Sequence, residues 1–359
     1  MGHLPLGLRQ VLEAGDCVLF VGAGLGSHLK RPDGSSPPNG RELAKDLCEQ
    51  FGIAPASSDL AKVAELVEIR KGRPQLEEFI KKSLADLTPD EVFQWLTTFR
   101  WRAIFTTNYD RAIEHAYELN PDPPQNPVSM SLTSDLEFTD PRLEVPIFHL
   151  HGTLFGAHAS HIVITQTDYA RFQDKRKMLW ERLKNEFATS AFLYLGYSSS
   201  DWNWQLILDE LTQEFYPSEL PHSYRVDPFA EEIDIELLKH RHLETLTMDL
   251  HGFHDLVKQE LGDFKPDADL LNKYRKGIHK DLLPAFEKNP AALLRLLDSW
   301  AYVNGEDFAQ NPNTSQFLLG DRASWSRSGR KFRSREISRM SSGTKFWNSI
   351  PLPEFVVRQ

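Results

Sequence analysis

The sequence predicts an α/β chain built on a largely parallel, doubly wound sheet, with a helical insertion and a helical C-terminal region. Three observations carry that expectation. Short, fully apolar runs such as Cys17-Val18-Leu19-Phe20-Val21 recur, as in strands buried on both faces of a parallel sheet. Helical patterns, not hairpin turns, separate them. Several runs end abruptly in glycine or a small polar cluster, as at Gly22-Ala23-Gly24 and Thr106-Thr107-Asn108-Tyr109-Asp110.

The elements follow in order. Leu6 to Ala14 reads as a short amphipathic helix with Leu8, Val11 and Leu12 on one side. The strand at 17–21 is followed by a loop of turn formers at 31–40. Residues 41–98 read as helical, broken at Gly52 to Ser58 and near Pro74 and Pro89, and suggest a lid or small subdomain. Ala103 to Phe105 is a strand that gives way to a helix from Arg111, and the proline-rich segment 120–141 is a loop. Further strands are expected at Val145 to Leu150, Ile162 to Ile164, Phe192 to Leu195 and Ser223 to Val226. One long helix is expected over Asp168 to Ser190, and another over Asp201 to Phe215 with Asp201 as its cap. Beyond about Lys265 the pattern is helical only, Asp281 to Trp300 being the clearest part. An α/β domain over 1–265 and a helical region over 266–359 are therefore expected.

The chain has 359 residues, 40% of them hydrophobic and 26% charged, as in globular proteins. Its apolar runs are too short to span a bilayer, and its N-terminus lacks the basic start and long apolar run of a secretion signal. Cys17 and Cys48 supply no disulfide framework, so a reducing cytoplasm is the expected compartment. The net charge of −10 is uneven: the tail from Asp321 carries +6 and the remainder −16. An acidic body argues against a general nucleic-acid binder. The basic Ser/Arg tail is either a solvated terminus or a contact for phosphates or an acidic partner.

Four motifs stand at strand ends, where open α/β sheets bind ligands. Gly22-Ala23-Gly24 suits a backbone approach to a diphosphate, although a plain tight turn gives the same residues. It is neither the G-x-G-x-x-G fingerprint nor a Walker A loop. Asn108 and Asp110 can reach sugar hydroxyls or an amide, and either can equally cap the helix that follows. His149 and His151 flank Leu150; His151 before Gly152 is a candidate general base with an ordinary imidazole pKa near ~6.5, while an H-x-H metal pair with His158 or His161 and a structural histidine are the other readings. Gly196-Tyr197-Ser198 offers a phosphate or ribose contact, or a simple strand-to-helix turn.

In this order, with a strand ending at Asp227, these motifs resemble the sirtuin family over about residues 15–255. The resemblance implies a Rossmann-like fold and NAD as substrate. Gly22, Ala23 and Gly24 would hold the diphosphate. Asn108 and Asp110 would hold the nicotinamide ribose and carboxamide, with Asn108 also placing the water or a ribose hydroxyl, and Thr107 would join the cofactor-binding set. His151 would be the catalytic base, and Gly196, Ser198 and Asp227 would serve the adenosine side. Two departures matter. The paired Cys-x-x-Cys zinc ligands of sirtuin deacylases are missing, so no zinc is expected. The loop Arg31-Pro32-Asp33-Gly34, leading to Asn39-Gly40-Arg41-Glu42-Leu43, looks like the bacterial anti-phage branch found in Thoeris systems, beside short Argonautes and beside HerA-type ATPases. That branch implies NAD hydrolysis to nicotinamide and ADP-ribose. An NAD-dependent protein deacylase or ADP-ribosyltransferase and a non-catalytic NAD- or ADP-ribose-sensing subunit are the alternatives. The apolar residues between Leu282 and Leu297 imply packing on the core, on a second copy or on a partner, and the resemblance to that branch implies a homo-oligomer. A HerA-type ATPase or short Argonaute would be the companion; nucleic acid would be reached only indirectly or through the basic tail, and no membrane contact is expected.

Overall fold

The computed structural model describes residues 3–54, 57–132, 139, 143–157, 159–172, 176–197, 208–213 and 221–262. His158, Ser198, the cap Asp201, the helix at 281–300, the apolar set up to Leu297 and the basic tail lie outside the described residues.

The chain opens with helix α1 (Leu6–Ala14) and strand β1 (Val18–Val21), followed by a 3-10 turn (Ala23–His28) and the short β2 (Leu29–Lys30). Helices α2 (Gly40–Phe51), α3 (Leu60–Lys71) and α4 (Arg73–Ser83) come next, then β3 (Thr88–Pro89) and α5 (Glu91–Trp95). Each helix start has a local cause. Asn39 and Glu42 form a reciprocal capping box on α2, Asp59 caps α3, and Pro74 stands in the first turn of α4. Strand β4 (Ala103–Thr106), α6 (Ala112–Leu119), β5 (Asn126–Met130) and β6 (Glu144–His149) follow. Then come α7 (Gln166–Ala170), α8 (Lys177–Thr189), β7 (Phe192–Leu195), β8 (Ser223–Val226), α9 (Glu232–Lys239), β9 (Leu243–Leu246) and α10 (Leu250–Leu261).

Among the described residues, seven strands form one sheet in the order β5-β6-β4-β1-β7-β8-β9, and every pair in it is parallel. From β1 the chain passes to β4 on one side and later returns to β7 on the other. The fold is therefore a doubly wound, Rossmann-like α/β sheet with its topological switch at β1. Alternate residues of the central strands enter two separate cores. Leu19, Val21 and Ile104 pack on one face; Val18, Phe20, Ala103 and Phe105 pack on the other. The second face is a row of rings, with Phe105 4.8 Å from Phe148 and Phe20 5.4 Å from Tyr194 between centroids. Cys17 and Cys48 are both free and buried.

Several expectations are corrected. The loop expected at 120–141 contains the edge strand β5, which tolerates Pro127 because an edge has ladder positions to spare. The second edge, β9, is another strand the sequence pattern did not announce. Ile162 to Ile164 is not a strand. Its main-chain groups are taken elsewhere: the Arg73 guanidinium donates to the Ile162 carbonyl, the Tyr109 hydroxyl to that of Val163 at 2.8 Å, and the Val163 N–H to the His151 carbonyl at 2.8 Å. The single helix expected over 168–190 is replaced by α7 and α8. Thr165 and Asp168 cap each other and start α7 early, and Arg171 ends it. Among the described residues, no helix is long and apolar enough to cross a membrane.

Candidate active site

The sheet register aligns the strand ends. Val21 is level with Thr106 and Leu195, Thr106 with His149, and Leu195 with Val226. The loops leaving β6, β4, β1, β7 and β8 thus start from one row at the carboxyl edge, about 19 Å long at ~4.8 Å per strand. His151, the Asn108 loop, the glycine turn, Gly196 and Asp227 all belong to these loops.

The glycine turn and the Gly196 turn interlock. The Gly22 N–H donates to Leu195 O at 2.8 Å and the Gly24 N–H to Gly196 O at 2.9 Å. A Cβ on Gly22 would lie 2.6 Å from Gly196 O, and one on Gly196 would lie 2.7 Å from Gly22 O. Gly196 also has φ +77°, a conformation that suits glycine. Ala23 and Gly24 remain exposed above this contact. Gly196→Ala is expected to destabilise the chain by about 2–4 kcal/mol, combining left-handed strain with backbone overlap. Gly34→Ala, with φ +83° and nothing within 4 Å, should cost only the strain. Urea denaturation of the two variants would read the difference, and equal losses would refute the interlock.

A second set of bonds ties the Asn108 loop to the same turn. Thr106 Oγ1 donates to Val21 O at 2.9 Å and accepts the Asn108 N–H at 3.0 Å. Asn108 Nδ2 donates to Gly22 O at 3.3 Å. Thr107 Oγ1 lies 2.8 Å from the Tyr197 hydroxyl, which itself donates to Val21 O at 2.9 Å. Tyr197 is a residue that sequence reasoning saw only as part of a motif. Asp110 Oδ1 accepts the Ala112 N–H at 2.9 Å, although the cap residue of α6 is Arg111 rather than Asp110 or Asn108, and burial raises the Asp110 pKa.

Below this loop lies a buried ion pair. His149 Nε2 is 2.8 Å from Glu114 Oε1, which also accepts from Ser129 Oγ. Burial alone would raise the Glu114 pKa, but the His149 charge and these hydrogen bonds outweigh it and hold the carboxyl down to about 2. Burial opposes the imidazolium of His149 in the same way and is outweighed by the Glu114 charge, so that pKa is raised. His149 is thereby committed to Glu114. Among the described residues it forms no metal cluster with His151 or His161.

His151 is 4% exposed and stands edge-on to Tyr169 and Phe172, with centroids 5.4 and 5.5 Å away. Burial and then the charge of Arg176 lower its pKa to about 3, which corrects the ordinary imidazole value expected from sequence. Its ring is neutral at pH 7 and is a proton acceptor of reduced basicity. No sequence signal marked Arg176. Its guanidinium reaches Ser131 O, Ser160 Oγ and, at 2.6 Å, His161 O. Arg73 of α4 anchors the same stretch through Asp168 at 2.7 Å, whose carboxyl it holds down to about 2 against the effect of burial.

The remaining expected residues are more peripheral. Asp227 is buried; its Oδ1 accepts the Phe229 N–H at 2.9 Å and its Oδ2 lies 3.5 Å from the Arg225 guanidinium. Ser198 is outside the described residues.

Residues 102–246 match the family model for a SIR2-like domain. The NAD(+) hydrolase ThsA of Enterococcus faecium is 26% identical over 281 residues, covering 74% of this chain and 56% of that protein. The NAD(+) hydrolase ThsA of Cytobacillus dafuensis is 24% identical over 318 residues, covering 86% of this chain and 60% of that protein. The chain thus spans little more than half the length of these curated relatives. A solved Sir2 homologue–NAD complex is 12% identical, covers 72% of this chain and 94% of its own, and has a TM-score of 0.45. The matched segment, residues 102–246, thus resembles a SIR2-like domain, and it contains β4, β6, β7 and β8 of the sheet whose carboxyl edge carries the motifs described above.

Proposed function

We propose that the chain hydrolyses NAD, cleaving the nicotinamide–ribose bond to give nicotinamide and ADP-ribose, and that this depletes NAD in bacterial anti-phage defence. The observation that carries the reading is the row of level strand ends. It sets an exposed glycine turn, the Asn108 amide and the neutral His151 ring along one edge at the switch point of the sheet. The names of the curated relatives support it.

The chemistry suits these groups. Nicotinamide leaves as a neutral molecule, so its departure needs little acid assistance. The ribose then carries oxocarbenium character, as in other glycosidic cleavages. Water adding to that centre becomes strongly acidic, so even the weakly basic His151 can take its proton and pass it to solvent. Asn108 orients the water or a ribose hydroxyl. The exposed glycine turn admits the diphosphate. A homo-oligomer, with a HerA-type ATPase or a short Argonaute as companion, stays part of the proposal on the motif resemblance.

The test is nicotinamide release from NAD by the purified chain, with phage-infected lysate supplied as a source of activator, with and without an acyl-lysine peptide. Release without the peptide is expected. Release only with the peptide would favour a deacylase, and ADP-ribose binding without turnover would favour a sensing subunit.

A further inference from the structure

Beyond the NAD reading, and independent of it, three residues distant in sequence converge at the far end of the 3-10 turn. His28 closes that turn, Asp90 caps α5, and His251 lies in the first turn of α10. One donor atom from each falls within 4.8 Å of the others. His28 Nδ1 is 2.9 Å from Asp90 Oδ2, and the His28 and His251 rings are 5.0 Å apart between centroids. His28 is buried, Asp90 half-buried and His251 exposed.

We propose that His28, Asp90 and His251 bind a divalent transition-metal ion of the zinc class, with water completing the shell. Two imidazoles and a carboxylate are borderline donors that suit Zn²⁺ or Co²⁺ rather than Ca²⁺ or Mg²⁺. In a tetrahedral site with bonds of ~2.0–2.1 Å, neighbouring donors stand about 3.3 Å apart. The His28–Asp90 pair is already near that spacing. His251 closes the remaining gap by rotating an exposed side chain between staggered positions. The carboxylate is aimed in advance, since Asp90 Oδ1 accepts the Phe93 N–H at 2.8 Å and the Asp90 N–H donates to His28 O at 2.9 Å. Such outer bonds orient ligands in metal sites. The ion would replace the His28–Asp90 hydrogen bond and join the 3-10 turn, α5 and α10. The near end of that turn is the glycine turn, so the ion would also brace it.

Zn²⁺ titration by calorimetry and Co²⁺ titration by visible absorption, on the chelator-treated full chain, test the site. We expect a one-to-one Zn²⁺ component, Co²⁺ bands of four- or five-coordinate geometry, and a raised thermal midpoint on binding. His251→Ala, at an exposed position, and Asp90→Asn, which keeps the capping oxygen, should each weaken binding about tenfold or more. His222→Ala should leave it unchanged; that residue lies on a different pair, 3.3 Å from Glu244. Absence of a one-to-one component, wild-type affinity in His251→Ala, or loss of binding in His222→Ala would overturn the proposal. None of these readouts uses NAD turnover, so failure here leaves the hydrolase reading untouched.

Discussion

Replacing Asn108 or His151 by alanine is expected to abolish nicotinamide release while leaving the chain folded. A positioned base contributes on the order of 10²–10⁴ in rate, so the His151 variant should lose at least that much. Asn108 is half-buried at the loop surface and its side chain makes one long bond, 3.3 Å, to Gly22 O. Its loss removes little from the fold. His151 packs against Tyr169 and Phe172, so His151→Gln, which keeps more of that volume, should accompany the alanine variant. The pH profile supplies a second readout. With the imidazole pKa at about 3, the wild-type rate should show no His151 inflection in the ordinary imidazole range. Full turnover by both alanine variants would remove these residues from the mechanism. An inflection near ~6.5 that vanishes with His151 would show that burial and Arg176 do not hold the ring neutral.

Glu114→Ala should be the most destabilising single change near the site, by about 3–5 kcal/mol, because it leaves the His149 imidazolium buried without its partner. The sign of the pH dependence follows from the two shifts. Glu114 is held at about 2, below an ordinary ~4.3, so its contribution is present above that ordinary value and fades as pH falls toward 2. The His149 pKa is raised, so its contribution is complete below its ordinary value of ~6.5 and fades as pH rises through the raised value. The stability gap between wild type and Glu114→Gln should therefore be widest between about pH 4.5 and 6.5. Chemical denaturation across pH would measure it, and a gap that does not vary with pH would contradict the charged pair. The pair lies under Asn108 and Asp110, so the variant should also lose activity through misplacement of that loop.

Much of this molecule was legible in its sequence, and the reason is local. Cys17 to Val21 and Phe192 to Leu195 are apolar at every position because a parallel strand covered on both faces must be. Gly22 and Gly196 are glycines because backbone oxygens lie where a Cβ would be. Asn108 and His151 follow directly from strands whose ends the pattern could locate. Beyond that, tertiary structure decided. The edge strands β5 and β9 have no alternation strong enough to announce them and exist because β6 and β8 offer open ladders. Ile162 to Ile164 has strand-forming residues, yet Arg73, Tyr109 and His151 claim its backbone. The low basicity of His151 depends on Arg176 and two rings, and the fate of His149 on Glu114, 35 residues away. His28, Asp90 and His251 are likewise brought together only by folding. Strand identity is written in neighbouring residues; charge, basicity and donor geometry depend on what packs across space, and spacing along the chain does not carry that.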